Sequence, residues 1–382
     1  MAEAYLVGAV RTPVGTRKGG LAGTHPADMA GHVLKELLDR TEVDAAAVED
    51  VILGCVGQVG PQSLNIARTA WLSAGLPEHV PGTTIDRQCG SSQQAVHFAA
   101  QAVLSGTQDL IVAGGVENMA MVPMGSNVTL GLEKGMPYIS GEGWAERYGD
   151  QEISQFRGAE LIAEKWGFSR IELEEFSVES HRRAVVAIDE GRFDDQITPY
   201  AGVKQDEVPR RDTTLERMAS LKLLREGGRM TAAVSSPISV GAAAVLIASA
   251  DAIERHNLIP RARVHALAVS GSDPVYMLTG PIPATAQALL KGGLTIDDID
   301  VFEVNEAFAP VPLAWAKETG ASLEKTNPNG GAIALGHPLG ATGAVLMTKM
   351  LYELERTGGR YGLQTMCEGG GQANATIIER IV

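Results

Sequence analysis

The sequence predicts an α/β protein made of two similar halves, with a mostly helical, irregular loop domain inserted into the first. Three observations predict it. Short apolar runs suited to buried strands alternate with segments whose apolar residues recur at helical spacing. The last third of the chain repeats the order of the first. From about residue 119 to 237 this alternation gives way to sequence richer in charge, Met, Gly and Pro. The expected boundaries are 1–118 with about 238–263 for the first half, 119–237 for the insertion, and 264–382 for the second half.

Taken in order, Ala4 to Ala9 reads as a buried strand, and Asp28 to Leu38 as a helix carrying Met29, Val33, Leu34 and Leu37 on one face. An acidic turn from Val43 feeds the strand Val51 to Leu53; Asn65 to Ala74 is again helical, and Thr83 to Ile85 extended. Cys89 then stands at a strand-to-helix junction, because Ala95, Phe98, Ala99, Ala102 and Val103 follow at helical spacing. Asp109 to Gly115 is a strand closed by glycines. Inside the insertion, Gly158 to Trp166 and Arg170 to Glu190 are helices, followed by a charged stretch to Arg229. Strands resume at Gly241 to Ile247 and Ala262 to Leu267. Leu294 to Val304 echoes Val43 to Leu53 with Val301 in the place of Val51, an offset of 250 residues that also lays Gly90 on Gly340. Tyr361 to Gly371 matches Asp109 to Gly115 as an apolar strand ending in glycines.

Composition limits the function. A chain of 382 residues, 45% hydrophobic and 20% charged, supports two or three domains with substantial cores. Its net charge of -14 argues against nucleic acid or an anionic membrane as partner, since both require a basic face. Three widely spaced cysteines, Cys55, Cys89 and Cys367, fit a reducing cytoplasm better than a disulfide framework. The first residues lack a signal-peptide pattern, and no run approaches the length of a membrane span.

The chemistry gathers at four places. Asn329 to Gly343 holds five glycines in fifteen residues and displays His337 just before a helical run, Ala344 to Leu354. A structural glycine loop with an incidental histidine is the alternative, weakened by two cysteines in matching contexts. Cys89 precedes a helix whose positive end favours a thiolate, and an imidazole such as His337 can take its proton. Cys367 precedes Gly369, Gly370 and Gly371, whose backbone N–H groups can face a developing oxyanion. Two thiols can divide the work of nucleophile and proton carrier. Asn305 follows the strand Val301 to Val304 and can donate to an oxyanion or turn the chain. Cys55 ends a strand and reads as a packed small hydrophobe. The other histidines read as surface or packing residues without metal-ligand spacing, and no nucleotide-binding glycine loop is present.

These residues carry a resemblance. The chain resembles the thiolases, acyl-CoA acetyltransferases, from Arg11-Thr12-Pro13 to its C-terminus, through the Cys89 junction, Asn305-Glu306-Ala307-Phe308, Gly336-His337-Pro338 and Cys367-Glu368-Gly369-Gly370-Gly371. The resemblance implies a five-layer α-β-α-β-α core of two halves with an inserted loop domain. It implies that Cys89 is the acylated nucleophile, His337 its base, and Cys367 the acid/base at the acetyl-CoA methyl carbon. Asn305 would hold a water in one oxyanion hole that His337 shares; the N–H groups of Cys89 and Gly369 would form the other. Coenzyme A and acyl-CoA would be substrates, with no prosthetic group and no metal. Ser236 would lie near the pantetheine, and Arg210 or Arg211 near the adenosine phosphates, in a stretch from Lys204 to Met230 with seven basic and five acidic residues. A homodimer or homotetramer is implied, with the strand before Cys89 near the contact.

The chain departs from the family at Asp86, Ser92, Gln93, Pro237 and Val240, none of which removes a reacting group. Cys89 to Gln94 and Tyr276 to Pro281 look most like actinobacterial thiolases of steroid catabolism, which implies thiolytic cleavage of a bulky or ring-derived 3-ketoacyl-CoA. The polar Gln93 and Gln94 are expected to belong to that acyl pocket. Two other readings compete: a biosynthetic acetoacetyl-CoA thiolase, and a non-catalytic acyl-CoA-binding subunit, which would need none of Cys89, His337 and Cys367.

Overall fold

In the computed structural model, which describes residues 2–381, β1 (Ala4–Arg11) is followed by the short β2 (Gly15–Thr16), α1 (Pro26–Thr41), β3 (Asp50–Gly54), α2 (Ile66–Ser73), β4 (Gly82–Ile85), α3 (Ser91–Ser105) and β5 (Leu110–Asn118). The chain leaves the sheet for α4 (Ser126–Glu133), α5 (Glu142–Tyr148), α6 (Gln155–Trp166), α7 (Arg170–Asp189) and α8 (Leu215–Ala219). It returns as β6 (Ser239–Ser249) and α9 (Ala250–His256). The second half runs β7 (Ala262–Gly271), α10 (Pro281–Gly292), β8 (Val301–Val304), α11 (Pro310–Thr319), α12 (Ala332–Leu335), α13 (Thr342–Thr357), β9 (Tyr361–Glu368) and β10 (Gln372–Arg380). Local chemistry sets the starts: Asn65 caps α2 by accepting from Arg68 N–H, and Ser169 and Glu172 form a capping box on α7.

The strands lie in the order β4-β3-β5-β6-β1-β7-β10-β9-β8. β3 is parallel to β4 and β5, β8 is parallel to β9, and the joints through β6, β1, β7 and β10 are antiparallel. The halves meet where β1 touches β7 through two pairs, Tyr5 with Arg263 and Leu6 with Ala262. Each half has one outer helical face: α1 and α2 bury Met29, Leu34 and Trp71 against the first, and α10 and α11 bury Ala284, Ala288 and Trp315 against the second. Between them α3 and α13 share one core, in which Ala95, Val96 and Ala99 meet Met347, Met350 and Leu351. The result is an α/β fold of five layers, α-β-α-β-α.

Strand registers correct the sequence repeat by one residue. Asp50 pairs with Ile111 where Val301 pairs with Gly362, and Glu49 N–H donates to Leu110 O where Asp300 N–H donates to Tyr361 O. The structural offset is therefore 251, which lays Cys89 on Gly340 and Ser91 on Thr342, the first residues of α3 and α13. The sequence match counted 250 because Val51 and Val301 look alike, while chain register is set by the ladder.

The segment between β5 and β6 contributes no strand to the sheet. Its α6 and α7 pack Ala159, Ile162 and Leu173 against Phe308, Val311 and Ile333 of the second half. A buried bidentate ion pair, Arg11 Nη1 to Asp206 Oδ1 at 2.7 Å and Nη2 to Oδ2 at 2.9 Å, ties it to the end of β1.

The starts of α3 and α13 nearly touch. A Cβ on Gly343 would collide with Gln93 N, and one on Gly54 would lie 2.5 Å from Ser92 N. Gly343→Ala is therefore expected to cost about 2–3 kcal/mol, the upper range for overpacking, read as a lower urea midpoint. Gly23→Ala, where a Cβ meets nothing within 4 Å, should leave the midpoint unchanged; equal effects would contradict the packing account.

Candidate active site

Cys89 is held on a sharp turn between β4 and α3. Gln88 has φ +49°, a conformation seldom adopted outside glycine, and its carbonyl accepts Ser91 N–H at 3.1 Å and Ser91 Oγ–H at 2.6 Å. Ser91 Oγ in turn accepts Arg87 N–H at 2.9 Å, so the turn closes on itself. Cys89 is mostly buried but keeps some exposure, whereas Cys55 and Cys367 are buried. Among the described residues no acceptor meets the N–H of Cys89 or of Gly369, leaving two donors beside the thiols.

His337 is oriented from three sides. Its N–H donates to Ser239 Oγ at 3.0 Å, its Nδ1 lies 2.6 Å from Thr342 Oγ1, and its Nε2 lies 3.4 Å from Asn305 Nδ2. Thr342 has a single hydroxyl proton, donated to Pro338 O at 2.9 Å, so it must accept from His337. The proton therefore resides on Nδ1 and the lone pair on Nε2. Burial lowers the imidazole to about 4, which keeps it a neutral base.

Cys367 is the penultimate residue of β9, the strand that Asn305 joins by donating its N–H to Thr365 O at 3.1 Å. Burial pushes the Cys367 thiol up strongly, reinforced by the charge of Cys89. Burial also raises Cys89, to about 12, with Glu368 as the next cause. Both sulfurs thus rest as thiols, close enough for the charge of one to raise the other, and the imidazole held by Asn305 and Thr342 is neutral. Such a pair moves its proton only as a bond forms, which is nucleophilic catalysis with a local base. No cluster of metal-binding side chains occurs among the described residues.

Three buried carboxylates, to which the sequence alone assigns no role, hold this arrangement. Glu117 accepts Val56 N–H and Gly340 N–H at 2.9 Å each, Gly57 N–H at 3.0 Å and Gln62 Nε2 at 2.8 Å, joining the end of β3 to the histidine loop. Glu306 accepts Ser180 Oγ at 2.7 Å, Asn327 Nδ2 at 2.9 Å and Ile333 N–H at 3.2 Å, anchoring the residue after Asn305. Glu303 pairs with Lys349 at 2.9 Å, and Lys349 also donates to Gly330 O at 2.6 Å. Burial, countered by Lys349, raises Glu303 to about 7. Glu306 stands inside the Asn305-Glu306-Ala307-Phe308 motif with no role of its own read there, while Glu117 and Glu303 read in sequence like any strand charge.

A cleft of about 730 Å³ runs from the insertion to Ile333, four residues before His337. Arg17, Lys18 and Arg210 line it, and none forms an ion pair among the described residues. Arg211, by contrast, is bound to Asp189 at 2.6 and 2.8 Å in an exposed pair away from the lining. Ser235 and Pro237 flank Ser236 in the wall, while Ser236 N–H holds Ala307 O at 3.0 Å. His181, read as a packing residue, also lines the cleft and accepts Arg210 N–H through Nδ1 at 3.2 Å. One expectation fails. Gln93 is buried between α3 and the second half-sheet, donating to Thr376 Oγ1 at 2.8 Å and Gln364 O at 3.2 Å, so it is a layer contact rather than an acyl-pocket residue.

Comparison with known proteins gives one answer along the chain. Residues 4–251 match the thiolase N-terminal domain and residues 258–380 the thiolase C-terminal domain. The chain is 60% identical over 387 residues to the steroid 3-ketoacyl-CoA thiolase FadA6 of Mycobacterium tuberculosis, covering 100% of this chain and 95% of that protein. It is 41% identical over 403 residues to the beta-ketoadipyl-CoA thiolase of Escherichia coli, covering all of both. The crystal structure of the Bacillus anthracis acetyl-CoA acetyltransferase superposes with a TM-score of 0.88 at 35% identity, over 100% of this chain and 99% of that one.

The hydrogen-bond chain predicts a selective loss. Thr342→Val removes the acceptor that fixes Nδ1–H and should slow any reaction in which His337 takes the Cys89 proton by about 10–100-fold, while Thr342→Ser restores it. Haloacetamide labelling of Cys89, followed by peptide mass spectrometry, measures this; equal rates in Val and Ser variants would contradict the tautomer assignment.

Proposed function

The chain belongs to the thiolase family, and from that premise we propose that it catalyses CoA-dependent thiolytic cleavage of a 3-ketoacyl-CoA through a thioester on Cys89. The observation that supports the reading is a partly exposed thiol at the start of α3, a neutral imidazole with its lone pair on Nε2 before the touching start of α13, and a second, buried thiol whose titration Cys89 perturbs.

In the first half-reaction His337 Nε2 takes the Cys89 proton as sulfur attacks the 3-keto carbon. The negative oxygen of that adduct faces the N–H groups of Cys89 and Gly369. Its collapse breaks the C2–C3 bond and leaves the shortened acyl group on Cys89. The departing acetyl-CoA enolate has its oxygen at Asn305 Nδ2 and His337, and Cys367 protonates its methylene carbon. In the second, CoA gives its thiol proton to the Cys367 thiolate and attacks the thioester. Cys89 leaves and recovers its proton from His337. Protons balance over the cycle without a prosthetic group.

The cleft suits coenzyme A in this reading. Arg17, Lys18 and Arg210 suit its phosphates, and the far end reaches the histidine loop. Residues 119–237 serve in this reading as the inserted CoA-binding domain. The steroid-type substrate rests on 60% identity to a protein named for that activity, since Gln93 no longer supports it. A homodimer or homotetramer is supported by the free outer edge of β4 and by exposed Met124, Met136, Tyr138 and Ile139 in the insertion. A reducing, cytoplasmic setting suits three free cysteines.

A panel of thioesters tests the function. CoA-dependent loss of 3-ketoacyl-CoA absorbance should give a higher kcat/KM for bulky or ring-derived substrates than for acetoacetyl-CoA; the opposite order favours a biosynthetic acetoacetyl-CoA thiolase. Cys367→Ser should slow carbon–carbon cleavage about 100-fold or more while leaving some acylation of Cys89 by an acyl-CoA, because a departing CoA thiolate needs a proton less than a carbon enolate does. Loss of both, or of neither, contradicts the division of roles.

The cleft charges predict a contrast. Arg210→Ala should raise KM for CoA several-fold, about 1 kcal/mol for a lost phosphate contact, with kcat little changed. Arg211→Ala should leave both constants as they are. If Arg211 proves the sensitive residue, coenzyme A lies elsewhere.

A further inference from the structure

The duplication places two glutamates in equivalent positions and treats them oppositely. Glu117 is the eighth residue of β5 and Glu368 the eighth residue of β9, in the register that also lays Cys89 on Gly340. Glu117 is surrounded by donors, Gly340 N–H among them. Glu368 is as deeply buried, yet neither of its oxygens has a partner. The N–H of Asn374 approaches without meeting hydrogen-bond geometry, and Asn374 Oδ1 is itself an unpartnered acceptor.

A buried carboxylate needs donors, and a buried carboxylic acid needs an acceptor. Glu117 has the first environment and Glu368 the second. Glu368 also presses against the nucleophile turn: a Cβ on Gly90 would collide with Glu368 Oε1. We propose that Glu368 is a positioning residue that works as a neutral carboxylic acid beneath the Cys89 turn, keeping the nucleophile free of an adjacent negative charge and its N–H free for the oxyanion. This rests on the thiolase reading of Cys89.

The surrounding charges agree. Arg87, before α3, is the positive group in range; its Nη1 donates to Gln372 Oε1 at 2.9 Å, its Nε is unpartnered, and among the described residues it forms no ion pair with Glu368. On β9 the neighbour is the Cys367 thiol, and β10 presents only neutral Gln372 and Asn374. Asp86 and Glu117 also raise Cys89, after Glu368. Burial carries Glu368 to about 8, opposed by Arg87, so the acid form holds at neutral pH and is lost as pH rises through that value.

Haloacetamide labelling of Cys89 from about pH 6 to pH 10 tests this without requiring turnover, with peptide mapping to separate the three cysteines. Wild type and Glu368→Gln should react alike near pH 6. Above about pH 8 the wild-type rate should lag as Glu368 ionises, so that the variant is about tenfold faster, the effect of about one pKa unit. Kcat near neutral pH should stay within about threefold, as an acid-to-amide change preserves neutrality. Glu368→Ala serves if the Gln variant fails to fold. Coincident labelling profiles, or a variant slower than wild type near pH 6, overturn the proposal. Divergent profiles in a protein that cleaves no 3-ketoacyl-CoA would instead place the failure in the proposed function.

Discussion

Everything at this site depends on two helix starts touching in the middle of the molecule. α3 and α13 come from different halves, and their first turns approach until Ala344 N–H donates to Ser92 Oγ at 2.9 Å and Gln364 Nε2 to Gly343 O at 2.8 Å. Side chains would hold such helices roughly 8–10 Å apart, so glycine is required at Gly54, Gly115 and Gly343. Cys89 precedes one helix and His337 the other. The approach of the two helix starts is a consequence of the five-layer packing, and Asn305 and Cys367 follow from the same symmetry because each lies within one residue of a strand end next to the junction.

Fixed charge then holds the loops in place. Glu117 and Glu306 each gather backbone and side-chain donors from separate segments, and Lys349 draws Gly330 O toward the central layer. In a buried setting such charge-assisted bonds are strong and directional. The reacting groups are kept neutral instead: two thiols, an imidazole with its proton on Nδ1, and an amide. Charge belongs to the scaffold, and the reaction begins in a neutral pocket where a developing oxyanion meets donors that are already oriented.

Much of this was legible in the sequence because glycines and a histidine in a loop have few uses, and because apolar runs report buried strands directly. Asn65 and Ala74 mark both ends of α2 as read. Other parts were hidden by burial of polar groups. β10 was not anticipated: Asn374 and Thr376 alternate with Ala373 and Ala375 as in a half-exposed strand, yet both faces are buried. Gln93 faces the same polar layer, which is why a pocket role looked plausible from the sequence and fails in three dimensions. Arg17 and Lys18 lie far along the chain from Arg210, so only the fold brings them to one cleft. The repeat itself was visible but one residue out of register, and that residue decides which glutamate stands opposite which.

The central claim is that Cys89 carries the acyl group, and trapping the intermediate addresses it directly. The protein is mixed with an acyl-CoA in the absence of free CoA, quenched in acid, and its three cysteine peptides are mapped by mass spectrometry. The account predicts one acyl group per chain on the Cys89 peptide, removed when free CoA is added before the quench. An adduct on the Cys367 or Cys55 peptide with Cys89 unmodified, or an adduct on Cys89 that CoA does not discharge, would contradict it.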